Sequence, residues 1–542
     1  MKKSILLGLA LMLCLSAFPQ NFEQQADQLL TELFPADGPG GTAIVAQKGE
    51  IIYHKAFGKA NLELDVDMQT DYIFRIGSVT KQFTACAILR LMEEGKLSLQ
   101  DPVTKFIEDY PTHGYEITVE HLLTHTSGIF SYTQLEKWDM EEKKRDFTPL
   151  EMIDYFKSEN MDFAPGTQWK YNNSGYYILG HIIEKLSGKS YAEYIETEFF
   201  EPLGMKNSMY DNFSNIIKGR ADGYFAPNVN AAFLSNTQAY AAGSLLSNSG
   251  DLFKWYTAVM GGKVVSKESL KLAHTAYVLK DGRPTDYGFG WFLGNVNGSP
   301  MIQHSGGIFG YLTGTAYLPE EEVFVAILSN CNCHNPVNPT FKLAGMAIGK
   351  PYAYEPISLK KKELPKYVGV YESAEGNKRY ISMEDGVLYY TPEGEDRLRL
   401  SAKSATQFFY ENGLELLDFS VDKKGKVTEL VSRSYRMPTT YKKISDELPK
   451  REVVELSPEQ ITPLLGEYEL REGFVITIYT EGEKIMSVAT NQDPSEVFPF
   501  AENKFFVKDF DGEMEFPLNE EGKVEKMILT QGKDTYTLKK IK

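Results

Sequence analysis

Ser78 and Lys81 stand three residues apart in Phe74-Arg75-Ile76-Gly77-Ser78-Val79-Thr80-Lys81. A short apolar segment runs into Gly77. Beyond it Phe83, Ala87, Ile88 and Leu91 recur at helical spacing, and Gly95 follows as a stop, which predicts a helix over 78–94. Ser78 opens that helix, and Lys81 returns to nearly the same face one turn later. A serine hydroxyl is a weak nucleophile at neutral pH and needs a base. A lysine amine withdrawn from water has a lowered pKa and can be that base. The start of a helix adds positive potential where an oxyanion would form. Ser358–Lys361 and Ser420–Lys423 repeat the spacing, but neither opens an apolar helix after a strand.

A second group is Tyr171-Asn172-Asn173, preceded by Pro165-Gly166 and followed by Gly175 and an apolar run. It reads as a loop that presents Tyr171 and Asn173 on one side before a helix begins. A tyrosine beside a lysine is expected to have a depressed pKa and to act as base and then acid. Asn173 would orient a substrate amide or Lys81. Tyr210/Asn212 and Tyr410/Asn412 share the spacing without that context. The third group is Gln303-His304-Ser305-Gly306-Gly307. Its glycines let backbone N–H groups come close to a ligand, and the Gly307 amide is expected to join that of Ser78 in an oxyanion hole.

A scaffold must bring these groups together. The 542 residues are 42% hydrophobic and 24% charged, ordinary for globular protein and enough for several domains of about 150 residues each. The formal net charge is −17 with no long basic stripe, which argues against nucleic acid as a ligand. Thr42–Ala46 and Ile51–Ala56 read as strands around Lys48-Gly49-Glu50. Tyr176–Leu186 reads as a helix ended by Gly188, and Val323–Leu328 as a strand buried on both faces.

Lys2 and Lys3, the apolar run Ile5–Leu15 and the exit Ser16-Ala17 mark residues 1–20 as a signal peptide. The mature chain is therefore expected in the periplasm or outside the cell. The run is shorter than the ~20 apolar residues of a membrane span, so no stable span is expected. Cys14 would leave with it, and Cys86 reads as a buried hydrophobe. Cys331, Cys333 and His334 lack the further ligands a metal needs, and no cofactor is expected. The cysteines do not form a disulfide scaffold.

After about residue 350 helical periodicity gives way to short alternating strands, behind the charged linker Lys360-Lys361-Lys362-Glu363. This tail is duplicated. Gly369/Tyr371 match Gly466/Tyr468, Phe408-Phe409 match Phe505-Phe506, Gly425-Lys426-Val427 match Gly522-Lys523-Val524, and Ile444 matches Ile541. Every pair is 97 positions apart. Each copy is expected to be a small antiparallel barrel, with one continuous sandwich as the alternative.

Taken together and in this order, Ser78/Lys81, Tyr171/Asn173 and His304/Gly306 resemble the motifs of the serine hydrolases related to class C β-lactamases, D,D-peptidases and D-aminopeptidases. Leu122-Leu123-Thr124-His125-Thr126-Ser127-Gly128, Ala242-Gly243-Ser244 and Tyr287-Gly288-Phe289-Gly290-Trp291 add to the likeness, which covers roughly 25–345. It implies an α+β catalytic domain over 21–350, an antiparallel sheet flanked by helices with a helical subdomain. Two all-β repeats over 355–448 and 455–542 would follow, reminiscent of D-aminopeptidases. It also implies roles: Ser78 as nucleophile, Lys81 and Tyr171 sharing proton transfer, and Asn173, His304, Gly306 and Gly307 lining the oxyanion and substrate site. His125 is assigned a structural role.

His304 stands where the commonest β-lactamase pattern carries lysine. A largely neutral imidazole offers a substrate carboxylate less than an ammonium does, which favours an esterase or D-amino-acid peptidase over a β-lactamase or D,D-carboxypeptidase. A non-catalytic binding protein using the same pocket is the alternative of another class. The expected partner is a small-molecule or peptide substrate; the oligomeric state is left open.

Overall fold

The computed structural model describes residues 22–542 apart from 412, 450–452, 472, 491, 508–510, 520 and 533; the signal peptide expected over 1–20 lies outside the described residues. Two compact units form. The first takes the described residues up to Tyr352 together with Tyr435–Met437, and the second takes Ala353–Ser434 and Pro438–Lys542.

The first unit is built on a six-stranded antiparallel sheet. Its strands are β1 (Gly41–Gln47), β2 (Glu50–Phe57), β4 (Phe292–Val296), β5 (Ser299–Ile308), β6 (Tyr311–Leu318) and β7 (Val323–Ser329), in the spatial order β4-β5-β6-β7-β1-β2. β7 lies between β6 and β1, and all seven of its residues are buried, which is why it reads as an unbroken apolar run. Helices Ser249–Met260 and Val337–Ala347 pack on the sheet. A separate short strand, β3 (Phe74–Arg75), feeds the turn that carries Ser78.

Ser78 itself lies in a 3-10 turn, Gly77–Val79, and the α-helix α1 runs from Thr80 to Glu93. The expected helix therefore starts two residues late. Ile76 sits at φ −91°, ψ 0° and Gly77 at φ +52°, so the backbone is still turning at Ser78. The helix α2 (Asn173–Ser187) begins three residues earlier than its apolar run indicates. Asn172 caps it by accepting from Gly175 N–H at 2.8 Å, and Gly188 ends it in the left-handed region.

In the second unit the strands of Gly369–Ser445 close into one barrel and those of Gly466–Lys540 into another, with eight described strands each. Closure leaves no sheet edge open. The duplication extends to the hydrogen bonds. Tyr371 Oη donates to Tyr367 O at 2.6 Å, and Tyr468 Oη to Leu464 O at 2.7 Å. Lys443 Nζ donates to Lys366 O and Lys540 Nζ to Pro463 O, at 2.9 and 2.8 Å. Phe408 and Phe419 meet in one core as Phe505 and Phe516 do in the other. Partners in both sets are again 97 positions apart.

Removing either tyrosine hydroxyl leaves a buried carbonyl without its donor, a cost of about 1–3 kcal/mol. Tyr371→Phe and Tyr468→Phe are each expected to lower the urea midpoint of the barrel that carries them, while covalent labelling of Ser78 stays at the wild-type rate.

Candidate active site

Gly77 is the pivot of the Ser78 turn. A Cβ there would lie 2.9 Å from Gly307 N and 3.0 Å from Gly307 O, and its φ of +52° also favours glycine. From the other side, a Cβ on Gly306 would lie 2.0 Å from Ile76 O and 3.3 Å from Ser78 N. Two backbones without side chains between them thus bring the end of β5 against the turn. Ser78 is half-buried, while Gly77 and Val79–Lys81 are buried. Gly307 is exposed and pairs in register with Leu312 of β6.

Lys81 is fully buried. Its Nζ donates to Asn173 Oδ1 and to Ala242 O, each at 2.9 Å, and lies 3.2 Å from Ser78 Oγ. All three neighbours are uncharged oxygens. Burial therefore acts without a compensating anion and pushes the amine well below the usual lysine pKa. A neutral amine has two N–H bonds and one lone pair. With the N–H bonds directed to Asn173 and Ala242, the lone pair faces the Ser78 hydroxyl, the arrangement a general base requires.

The Lys81 amine also sits 4.7 Å from the Tyr171 ring centre and 5.4 Å from that of Tyr176. The Tyr171 hydroxyl is buried. Ser78 is close enough to pull its pKa partway down, but no full hydrogen bond closes between them, and desolvation raises the pKa above that of free tyrosine. The expected depressed phenol is thus corrected: burial outweighs the Ser78 contact, and a neutral amine offers a phenolate no charge. Asn173 has its own supports, its backbone N–H on Ser131 Oγ at 3.3 Å and Nδ2 on Thr133 Oγ1 at 3.4 Å.

His304 is buried, 1% exposed, with both ring nitrogens engaged. Nδ1 donates to Ser305 O at 2.6 Å, which leaves Nε2 to accept from the Tyr287 hydroxyl at 3.0 Å. Burial, and then the Lys81 amine, lower its pKa to about 3. It borders Tyr171, ring centres 6.2 Å apart, as a neutral wall.

Three contributors escaped the sequence reading. The Ala242 carbonyl follows Tyr240, whose φ of +41° breaks the helical path of Asn236–Gly243. Ala241 O and Ala242 O then accept from Thr84 Oγ1 and Lys81 Nζ, both on α1. A bulky residue held there costs about 1–3 kcal/mol, strain of the kind concentrated at working sites. His125 lies beside Tyr171, ring centres 4.3 Å apart. Cys331 and Cys333 are joined as a disulfide, and Asn332 between them accepts from Gly310 N–H at 2.8 Å and donates to Ile308 O at 3.2 Å, bracing the turn beyond Gly307.

Residues 23–344 match the family model described as Beta-lactamase, and residues 450–542 match a Domain of unknown function (DUF3471). Penicillin-binding protein 4* of Bacillus subtilis (strain 168) is 30% identical over 424 residues, 72% of this chain and 92% of its own. Esterase EstB of Burkholderia gladioli is 36% identical over 182 residues, 31% of this chain and 46% of its own. The solved structure of a D-stereospecific amidohydrolase from Streptomyces sp. is similar at a TM-score of 0.51 and 25% identity, over 60% of this chain and 98% of that one.

The buried histidine carries a pH consequence. His304 is neutral when folded and titrates near its ordinary value of 6.5 when unfolded. The unfolded chain therefore binds the extra proton between pH 6.5 and about 3, and stability falls as pH drops through that window. Thermal melts are expected to show a steeper loss from pH 7 to 4.5 in the wild type than in His304→Gln; equal slopes would contradict the assignment.

Proposed function

The chain belongs to the Beta-lactamase family of serine hydrolases, and from that premise we propose that it cleaves an ester or an amide of a D-amino acid through an acyl-enzyme on Ser78. The observation that carries the reading is the buried Lys81 amine, with Ser78 Oγ, Asn173 Oδ1 and Ala242 O around it. In the proposed cycle Lys81 takes the Ser78 proton as Oγ attacks the carbonyl carbon. The amides of Ser78 and Gly307 receive the oxyanion. The neutral Tyr171 phenol relays the proton from Lys81 to the leaving group; when the acyl-enzyme is hydrolysed it gives its own proton to Lys81 as it takes one from the attacking water, and Lys81 returns that proton to the departing Ser78 Oγ. Asn173 holds the amine in place between turns of the cycle.

Substrate choice rests on His304. With neither charge nor an unused nitrogen, it gives a carboxylate-bearing β-lactam little to bind. The likeness to an esterase and to a D-stereospecific amidohydrolase points the same way. Export through residues 1–20 belongs to the same proposal, and the Cys331–Cys333 disulfide suits an oxidising compartment.

A fluorophosphonate probe is expected to label the wild type and to leave Ser78→Ala unlabelled; labelling of a different residue would overturn the mechanism. On a panel of p-nitrophenyl esters, D-Ala-p-nitroanilide, L-Ala-p-nitroanilide and nitrocefin, kcat/KM is expected to be highest for an ester or the D-anilide. Fastest turnover of nitrocefin would reverse the substrate assignment.

A further inference from the structure

His125 is fully buried and holds a left-handed backbone, φ +60°, that residues with a Cβ rarely adopt. What the conformation achieves is seen in its partners. Its carbonyl oxygen accepts from Lys170 N–H at 3.0 Å, and its ring Nδ1 accepts from Asn172 N–H at 3.1 Å. One residue thus binds the backbone N–H groups of Lys170 and Asn172, the residues on either side of Tyr171. The grip is extended along the chain: Thr126 O accepts from Gly166 N–H and Gly128 O from Asp162 N–H, both at 2.8 Å.

The ring completes the clasp. An Nδ1 that accepts a backbone N–H belongs to a neutral imidazole with its proton on Nε2. The ring lies 4.3 Å from that of Tyr171, 4.6 Å from Tyr287 and 5.1 Å from Tyr176. The last of these, like Tyr171, faces the Lys81 amine. Among the described residues His125 Nε2 and Tyr171 Oη have no hydrogen-bond partner. The Tyr171 ring is therefore fixed by its backbone and its neighbours, and its hydroxyl stays uncommitted.

We infer that His125 is a positioning residue, which holds the backbone N–H groups of the two residues flanking Tyr171 and so keeps the phenol over the Ser78–Lys81 pair. The inference rests on the proposed role of Tyr171. It requires two properties of the side chain at 125: tolerance of the left-handed backbone, and an acceptor at the Nδ1 position. Asparagine has both, since its Oδ1 overlays Nδ1 and it enters the left-handed region readily. Glycine has only the first.

The test compares His125→Asn, His125→Gly, Tyr171→Phe and the double variant His125→Gly/Tyr171→Phe, using full-length protein and a p-nitrophenyl ester. His125→Asn is expected to keep kcat within about threefold of wild type. His125→Gly is expected to lose about 10- to 100-fold in kcat with little change in KM, the scale at which misplacing a reacting group costs rate. The double variant should be no slower than Tyr171→Phe alone, because one residue acts through the other. A wild-type kcat in His125→Gly, a His125→Asn as slow as His125→Gly, or losses that multiply in the double variant would each overturn the inference. A wild-type kcat in Tyr171→Phe would instead overturn the assignment of Tyr171 and leave the clamp as packing. Circular dichroism of each variant separates loss of rate from loss of fold.

Discussion

Everything at this site follows from placing one amine where water cannot reach it. An ammonium in that position would forfeit its hydration with no carboxylate among its hydrogen-bond partners to repay the loss. Neutrality is the cheaper state, and a neutral amine has a lone pair to offer. The same exclusion of water keeps the Tyr171 phenol protonated and the His304 ring uncharged. One environment thus keeps an amine, a phenol and an imidazole all uncharged, because it penalises charge on whatever group enters it.

Such a pocket must be assembled from distant parts of the chain, and the close contacts are made by backbone. Gly77 and Gly306 let β5 and the Ser78 turn meet with nothing between them. Tyr240, held out of the helical region, leads into the two carbonyls that accept from α1. Asn172 serves twice, capping α2 with its side chain and giving its N–H to His125. Local irregularities are the means by which a regular sheet and bundle deliver a non-repeating arrangement of atoms.

The legibility of the chain follows from the same division. Side-chain identity at fixed spacing singled out Ser78, Lys81, Tyr171 and Asn173, which the fold brings together, and alternation with turn residues revealed the strands of the tail. The repeat at 97 positions foretold two like β-units, which proved to be closed barrels down to their tyrosine and lysine contacts with the backbone. The Ala242 carbonyl could not be read, since every residue has a carbonyl and only tertiary folding aims one. His125 was visible as a letter but not as a neighbour: it lies 46 positions from Tyr171. The direction of the phenol's pKa was misjudged because proximity to lysine was inferred and depth of burial was not.

The Cys331–Cys333 cross-link ties together residues separated by a single position. A loop so short removes little freedom from an unfolded chain, so its worth as a global staple is small. Its influence is directional. It fastens Asn332 between two anchored sulfurs, with the amide facing the bend after β5. The cross-link therefore acts on local geometry, at the bend that follows the strand carrying Gly307, more than on the stability of the fold.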